Sequence, residues 1–233
     1  MDENIEMLQN LIDESEYTLV VTGAGVSMSS GILDMEHMNT LQAIQTSVES
    51  IVKMAPERSY KILQRSFFKA MFDTGPSKTH KKLVELEKNG KIQGVVTTNI
   101  DCLHKIAGSK NVAEIQGSYG INKCHKCGHE YNDVNIWNLG KAPRCQKCNG
   151  VIVSHPVYSH IGIFQEDYSK AVNWISNADL VIVVGSKGMY GSYFNYLKSY
   201  AKIVQINPKR THFDSVATIN IKKEADEVFQ LLS

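Results

Sequence analysis

YTLVVTGAG, residues 17–25, is an apolar, β-branched run that ends abruptly in two glycines. Polar and apolar residues do not alternate in it, so it reads as a strand buried on both faces. A strand buried on both faces belongs to a parallel sheet with helices packed on either side. Four further runs read the same way: IQGVVTTNI (92–100), VAEIQG (112–117), ADLVIVVGS (178–186) and AKIVQIN (201–207). Between and around them lie helical patterns. Residues 4–15 place Ile5, Leu8, Leu11 and Ile12 on one side of a helix, and residues 40–90 are mostly helical, closing in HKKLVELEKNGK at Gly90. KEADEVFQLL (223–232) reads as a closing helix. The expected fold class is α/β: a Rossmann-like, mainly parallel sheet with helices on both faces.

A second unit interrupts that pattern. Cys124, Cys127, Cys145 and Cys148 form two CxxC pairs with seventeen residues between them, in a block (121–152) rich in Lys, Asn, Gly and His. Four thiolates in two close pairs match the tetrahedral demand of Zn2+, and with all four positions taken by sulfur such a site is structural. Two disulfides are the competing reading. The expected organisation is a Rossmann-like domain made of 1–120 and 153–233, an inserted zinc-ribbon module at 121–152, and helices within 40–90 that can join the smaller unit.

Composition excludes some functions. The chain has 233 residues, of which 42% are apolar, and a net charge of +1. A nearly neutral chain has no global field to attract nucleic acid or an anionic membrane. No run of about 18 apolar residues is present to span a bilayer. The first ten residues, MDENIEMLQN, are acidic and amphipathic, unlike an export leader. The expected compartment is the cytoplasm.

In parallel sheets ligands bind beyond the carboxyl ends of the strands. Small and polar residues gather at those ends: Gly23-Ala24-Gly25, Thr98-Asn99-Ile100-Asp101, Gln116-Gly117-Ser118, Gly185-Ser186 and Asn207. GAGVSMSSGILD (23–34) begins like a dinucleotide fingerprint but fails as GxGxxG, because its third glycine comes only at Gly31. No second strand ending in an acidic residue follows at the required distance. A hydride-transferring enzyme is therefore disfavoured.

In order and spacing, GAGVSMSSGILD, TTNIDCLHKIAG, the Gln-Gly-Ser turn, the paired CxxC block, Gly185-Ser186 and Ile206-Asn207 resemble the sirtuin family over nearly the whole chain. The resemblance implies NAD+ consumed as a co-substrate, a structural Zn2+ and a protein substrate. It assigns Gly23, Ala24, Gly25 and Ser27 to the phosphate-binding turn, and Asp34 to the acidic position of the loop that follows. Asn99, Ile100 and Asp101 match the segment that handles the ribose and the nicotinamide amide, with Asn99 and Gln116 orienting the ribose. Gly185, Ser186 and Asn207 match positions near the phosphates and the adenosine ribose.

Several positions depart from the family pattern. Leu33, Met35 and Glu36 stand where Pro, Phe and Arg are usual, and Thr98 replaces Gln. In the stretch that ordinarily holds an acyl-lysine, Pro156 and Gly162 remain, while Ile161 and Ile163 replace Phe and Glu. Gln116 replaces the family's catalytic His. Deacylation needs a general base with a pKa near neutrality, and a carboxamide has none. Cleavage of the nicotinamide bond and capture by another nucleophile survive that loss.

IQGSYG resembles the corresponding turn of the macrodomain-linked, class M sirtuins. That resemblance implies protein ADP-ribosyl transfer, with a lipoylated carrier as a possible target class. The expected activity is therefore ADP-ribosyl transfer to a protein, favoured over lysine deacylation and over a non-catalytic module that binds NAD+ or ADP-ribose. On the same reading, Gln116→His alone leaves deacylation weak. His104, His155 and His160 are read as hydrogen-bonded or surface groups and not as substitute bases.

Overall fold

The computed structural model describes residues 3–32, 40–154, 162–188 and 192–233. Helix α1 (Glu3–Glu14) buries Ile5, Leu8 and Ile12, as its spacing predicts. It leads into β1 (Thr18–Thr22), every residue of which is buried. A 3-10 helix, Ala24–Ser30, follows at once. The region expected to be mostly helical is four α-helices and a wide-turned stretch: α2 (Thr40–Ser47), α3 (Glu49–Met54), α4 (Pro56–Leu63), π-helical turns at Gln64–Phe68 and Ala70–Thr74, and α5 (Lys78–Lys88). Pro56 at the start of α4 separates it from α3, since proline supplies no amide N–H to continue a helix. Then come β2 (Gly94–Thr97), α6 (Leu103–Ala107) and β3 (Val112–Glu114).

The cysteine block contributes β4 (Asn122–Cys124) and β5 (Glu130–Tyr131), and β6 (Ile152–Ser154) closes it. These make an antiparallel sheet in the order β5-β4-β6. The chain returns through α7 (Gln165–Asn177), β7 (Leu180–Val184), β8 (Lys202–Ile206), β9 (Ile219–Ile221) and α8 (Ala225–Phe229).

The larger sheet has six strands in the order β3-β2-β1-β7-β8-β9, all parallel. Five were expected. The sixth, β9, is three residues long with Asn220 at its centre, too short to show a pattern in sequence. The chain builds outward from β1 on one side and then returns to β7 to build outward on the other. Strand order therefore reverses between β1 and β7, and at such a switch the loops part and leave a crevice. Two apolar layers cover the sheet. One joins α1, α5 and α8 through Leu8, Leu83 and Phe229; the other joins α7 with the β7–β8 and β8–β9 connections through Ile175, Tyr193 and Phe213. Tyr193 is buried in the second layer, whereas Tyr196 and Tyr200, at spacings that would put them on one helix face, are exposed.

A third cluster ties the helical region to the cysteine block. Tyr60, Phe67 and Phe68 pack with Tyr119 and Trp137, and the Trp137 indole stacks on Phe68 at 5.3 Å between ring centroids. Among the described residues no helix is long and apolar enough to cross a membrane.

Candidate active site

The glycine turn is fixed by packing. The Gly23 N–H donates to Val184 O at 3.1 Å and the Gly25 N–H to Gly185 O at 2.9 Å. A Cβ on Gly25 would lie 2.6 Å from Gly185 Cα, and one on Gly23 would lie 2.8 Å from Ser186 Cα. Both glycines are thus required because the ends of β1 and β7 touch backbone to backbone. The resemblance places them at the phosphates; the structure adds that their own amides are engaged in holding the turn. Gly185 itself turns with φ +60°, a conformation open to glycine. Asn207, at the end of β8, donates from Nδ2 to Ser186 O at 3.2 Å, so Gly185, Ser186 and Asn207 form one edge of the crevice.

The second cluster lies between β1 and β2. Asn99 donates from Nδ2 to Gly23 O and to Ser27 Oγ, both at 3.1 Å. The Ser27 hydroxyl donates to Asp101 Oδ2 at 2.7 Å, and the Leu103 N–H donates to Asp101 Oδ1 at 2.9 Å. Asn99, Ser27 and Asp101 are all buried, while Ala24 is exposed and Gly25 and Ile100 are half-buried. Asp101 caps the start of α6 because Cys102 takes a left-handed φ of +60°. Few side chains adopt that backbone conformation. The buried Cys102 thiol is pushed well above its usual range by burial, which makes it inert.

Gln116 ends β3. Thr97 and Glu114 are paired in register, so Asn99 and Gln116 each lie two residues beyond that rung. The Gly117 N–H closes a tight turn on Glu114 O at 2.7 Å, with φ +67° at Gly117. Beneath it, buried Glu114 accepts from Ser118 Oγ at 2.6 Å and pairs with Lys105 at 2.7 Å. This leaves the Gln116 side chain exposed at the lip of the crevice. His104 is buried with Nε2 2.9 Å from Thr22 Oγ1, and burial holds it well below its usual range. It is a core histidine and not a surface base. Asp34, Leu33, Met35, Glu36, His155, Pro156, His160 and Ile161 lie outside the described residues.

Burial pushes Asp101 up to about 6, against hydrogen bonds from Ser27 and Leu103 that lower it and with the Glu114 charge, which adds to the rise. A carboxyl whose folded pKa exceeds its unfolded one stabilises the fold only while protonated. The contribution is complete below about pH 4 and is lost as pH rises through about 6. Asp101→Asn should therefore be more stable than the parent at pH 7.5. The shift corresponds to roughly 3 kcal/mol, of which about 1–2 kcal/mol should remain after Ser27 loses its acceptor. Urea unfolding at pH 7.5 and pH 4.5 checks this: the advantage should be present at the first and gone at the second. An advantage equal at both would contradict the assignment.

The four paired cysteines converge, and their Sγ atoms all lie within 4.8 Å of one another. Cys124 and Cys148 sulfurs are 3.4 Å apart, Cys127 and Cys145 sulfurs 3.6 Å. Both distances are far too long for a disulfide, and all four thiols are free. Four sulfurs each about 2.3 Å from a tetrahedral zinc lie about 3.8 Å from one another, so the donor set fits the ion. The Lys126 N–H donates to Cys124 Sγ at 3.3 Å, and the Tyr131 hydroxyl donates to Cys145 Sγ at 3.2 Å, which orients the ligands. A Cβ on Gly150 would lie 2.8 Å from Cys124 Sγ, so this knuckle admits only glycine.

A sequence profile of the Sir2 family matches residues 23–190. The chain belongs to the Sir2 family. An NAD-dependent protein deacetylase of Clostridium perfringens is 32% identical to this sirtuin over 238 residues, covering 98% of each chain. The NAD-dependent protein deacetylase 1 of Pyrobaculum aerophilum is also 32% identical, over 99% of this chain and 94% of its own. A solved sirtuin structure concerned with substrate affinity aligns with a TM-score of 0.83 and 31% identity over 97% of this chain and 96% of its own. A complex of Sir2 with a p53 peptide and NAD+ aligns at 0.79 and 29% identity, covering 97% and 95%. Sirtuins use NAD+ as a co-substrate, and the four clustered cysteines are this sirtuin's candidate structural zinc site. The relatives carry deacetylase names, so the preference for ADP-ribosyl transfer finds no support among them.

Proposed function

We propose that this sirtuin consumes NAD+ in the crevice at the ends of β1, β2 and β3, and that it removes acyl groups from lysines of a protein substrate. One observation carries the site assignment: the buried Asn99–Ser27–Asp101 cluster at the strand ends beside the β1–β7 switch point. The deacylase reading is supported by relatives so named that match nearly end to end, and by aligned sirtuin structures with bound peptides. On this reading NAD+ supplies an ADP-ribosyl group joined to a nicotinamide leaving group. The glycine edge with Ser186 and Asn207 holds the phosphates and adenosine ribose. Asp101 holds the nicotinamide amide. Asn99 keeps a fixed carboxamide dipole beside the reacting ribose, and its burial excludes water that would screen it.

Gln116 limits the second half of the reaction. A carboxamide orients a ribose hydroxyl by hydrogen bonds but takes no proton from it. Acyl release should therefore lag behind nicotinamide release. Gln116→His supplies the missing base, and acyl release from an acetyl-lysine peptide should rise at least about tenfold while initial nicotinamide release changes little. The competing expectation, drawn from Ile161 and Ile163, is that release by the variant stays weak, and the same measurement decides between the two.

Gln116 also favours a second reading: ADP-ribosyl transfer to a protein, a lipoylated carrier being the target class the turn's resemblance implies. Labelled NAD+ separates the two. Label retained on protein, with no acyl release by parent or variant, favours transfer; acyl release coupled to NAD+ consumption favours deacylation. Unchanged NAD+ removes both.

A further inference from the structure

Two buried histidines lie beneath the crevice, and each has one ring nitrogen without a hydrogen-bond partner: His80 Nε2 and His104 Nδ1. Their ring centroids are 4.5 Å apart, inclined at 52°. The hydrogen bonds on the other nitrogens fix both tautomers. The Ser77 N–H donates to His80 Nδ1 at 3.3 Å, with Ser77 Oγ also 2.7 Å away, inside the capping box of α5. Nδ1 of His80 therefore carries the lone pair and Nε2 the proton. The Thr22 hydroxyl donates to Thr97 Oγ1 at 2.8 Å, so the Thr22 oxygen, 2.9 Å from His104 Nε2, is left to accept. His104 accordingly carries its proton on Nε2 and its lone pair on Nδ1.

The two unpartnered atoms are thus a donor on His80 and an acceptor on His104, on rings in contact. Beyond Thr22 the chain continues, because Thr97 Oγ1 accepts the Asn99 backbone N–H at 3.0 Å. Thr22 and Thr97 are paired in register at the last rung joining β1 and β2. One line of polar groups then runs from His104 through Thr22 and Thr97 to the backbone of Asn99, with the His80 ring packed against His104.

We propose that His104 is a positioning residue for Asn99 and that its Nε2–H sets the Thr22 and Thr97 hydroxyls. The role given to Asn99 rests on the function proposed above; the tautomers do not. Burial lowers the pKa of both rings, to about 4 for His80, which keeps them neutral as the line requires.

Two measurements test this. Long-range proton–nitrogen NMR of the imidazoles in the native chain at pH 7 should show both histidines neutral and protonated on Nε2. A Nδ1 tautomer or an imidazolium at His104 would overturn the proposal, whether or not the protein consumes NAD+. Second, His104→Leu should lower the maximal rate of nicotinamide release about tenfold with the KM for NAD+ within about threefold, because Asn99 is displaced and not removed. His104→Gln, whose Nε2 can still donate to Thr22, should recover most of that rate. Equal losses in both variants would leave only a structural role and sink the idea. If His104→Leu does not fold, the parent's tautomers and the His104→Gln rate still decide. A parent that leaves NAD+ unchanged defeats the functional reading while the NMR result stands by itself.

Discussion

Asn99→Ala should abolish most NAD+ turnover while the chain stays folded. The expected fall in nicotinamide release is about 10^2–10^3-fold, the order of loss seen when one preorganised polar group is removed from charge developing in a transition state. Asn99 is 8% exposed, and its Nδ2 is already held by Gly23 O and Ser27 Oγ, so it reaches the reacting state without reorganising. Affinity for NAD+ should change only a few-fold, since an interaction made mainly in the transition state governs rate more than binding. Losing these two hydrogen bonds should reduce stability by about 1–2 kcal/mol, measurable as a modest shift in melting temperature. Steady-state nicotinamide release and calorimetric NAD+ titration of parent and variant check the split. Consumption of NAD+ at the parent's rate would show that the reacting centre lies elsewhere.

Removal of zinc should disorder the cysteine block and leave the six-stranded sheet in place. β4, β5 and β6 span only eight residues in all, and the apolar cluster around them is Cys124, Cys145 and Ile152 with a few half-buried neighbours. So small a core cannot order the block, and on the order of 10 kcal/mol of zinc–thiolate binding energy is available to do it. Cys145→Ser, or a strong chelator, should release one zinc per chain. The chain has two tryptophans. Trp137 is buried against Phe68 and donates from Nε1 to Tyr119 O at 3.1 Å; Trp174 packs over Gly94 in the larger sheet. In a Trp174→Phe background, emission should therefore shift to the red when the metal leaves. Turnover should fall with it, because Tyr119, held by Trp137, also donates its N–H to Ile100 O beside Asn99. Native protein without zinc, or unchanged Trp137 emission after its removal, would refute this account.

Much of this was written in short-range chemistry. The uninterrupted apolar runs at 17–22 and 180–184 could only be strands buried on both faces, and that requires a parallel sheet under helices. Two CxxC pairs named a tetrahedral sulfur site, and glutamine at 116 excluded a base there, because both follow from side-chain chemistry alone. What the sequence could not carry were properties of pairs distant along the chain. β9 became a strand only because Ile206 and its neighbours offered it a partner. Gly23 and Gly25 read as a ligand-binding turn, but their first obligation is to Gly185, some 160 residues on, whose backbone approaches too closely for any side chain. His104 read as a hydrogen-bonded or surface histidine. Its facing of His80 and its link through Thr22 and Thr97 to Asn99 arise where α5, α6, β1 and β2 meet. Local patterns fix which groups are present and which faces are buried; only tertiary packing decides which polar atoms meet, because a hydrogen bond depends on ångström distances that sequence separation does not encode.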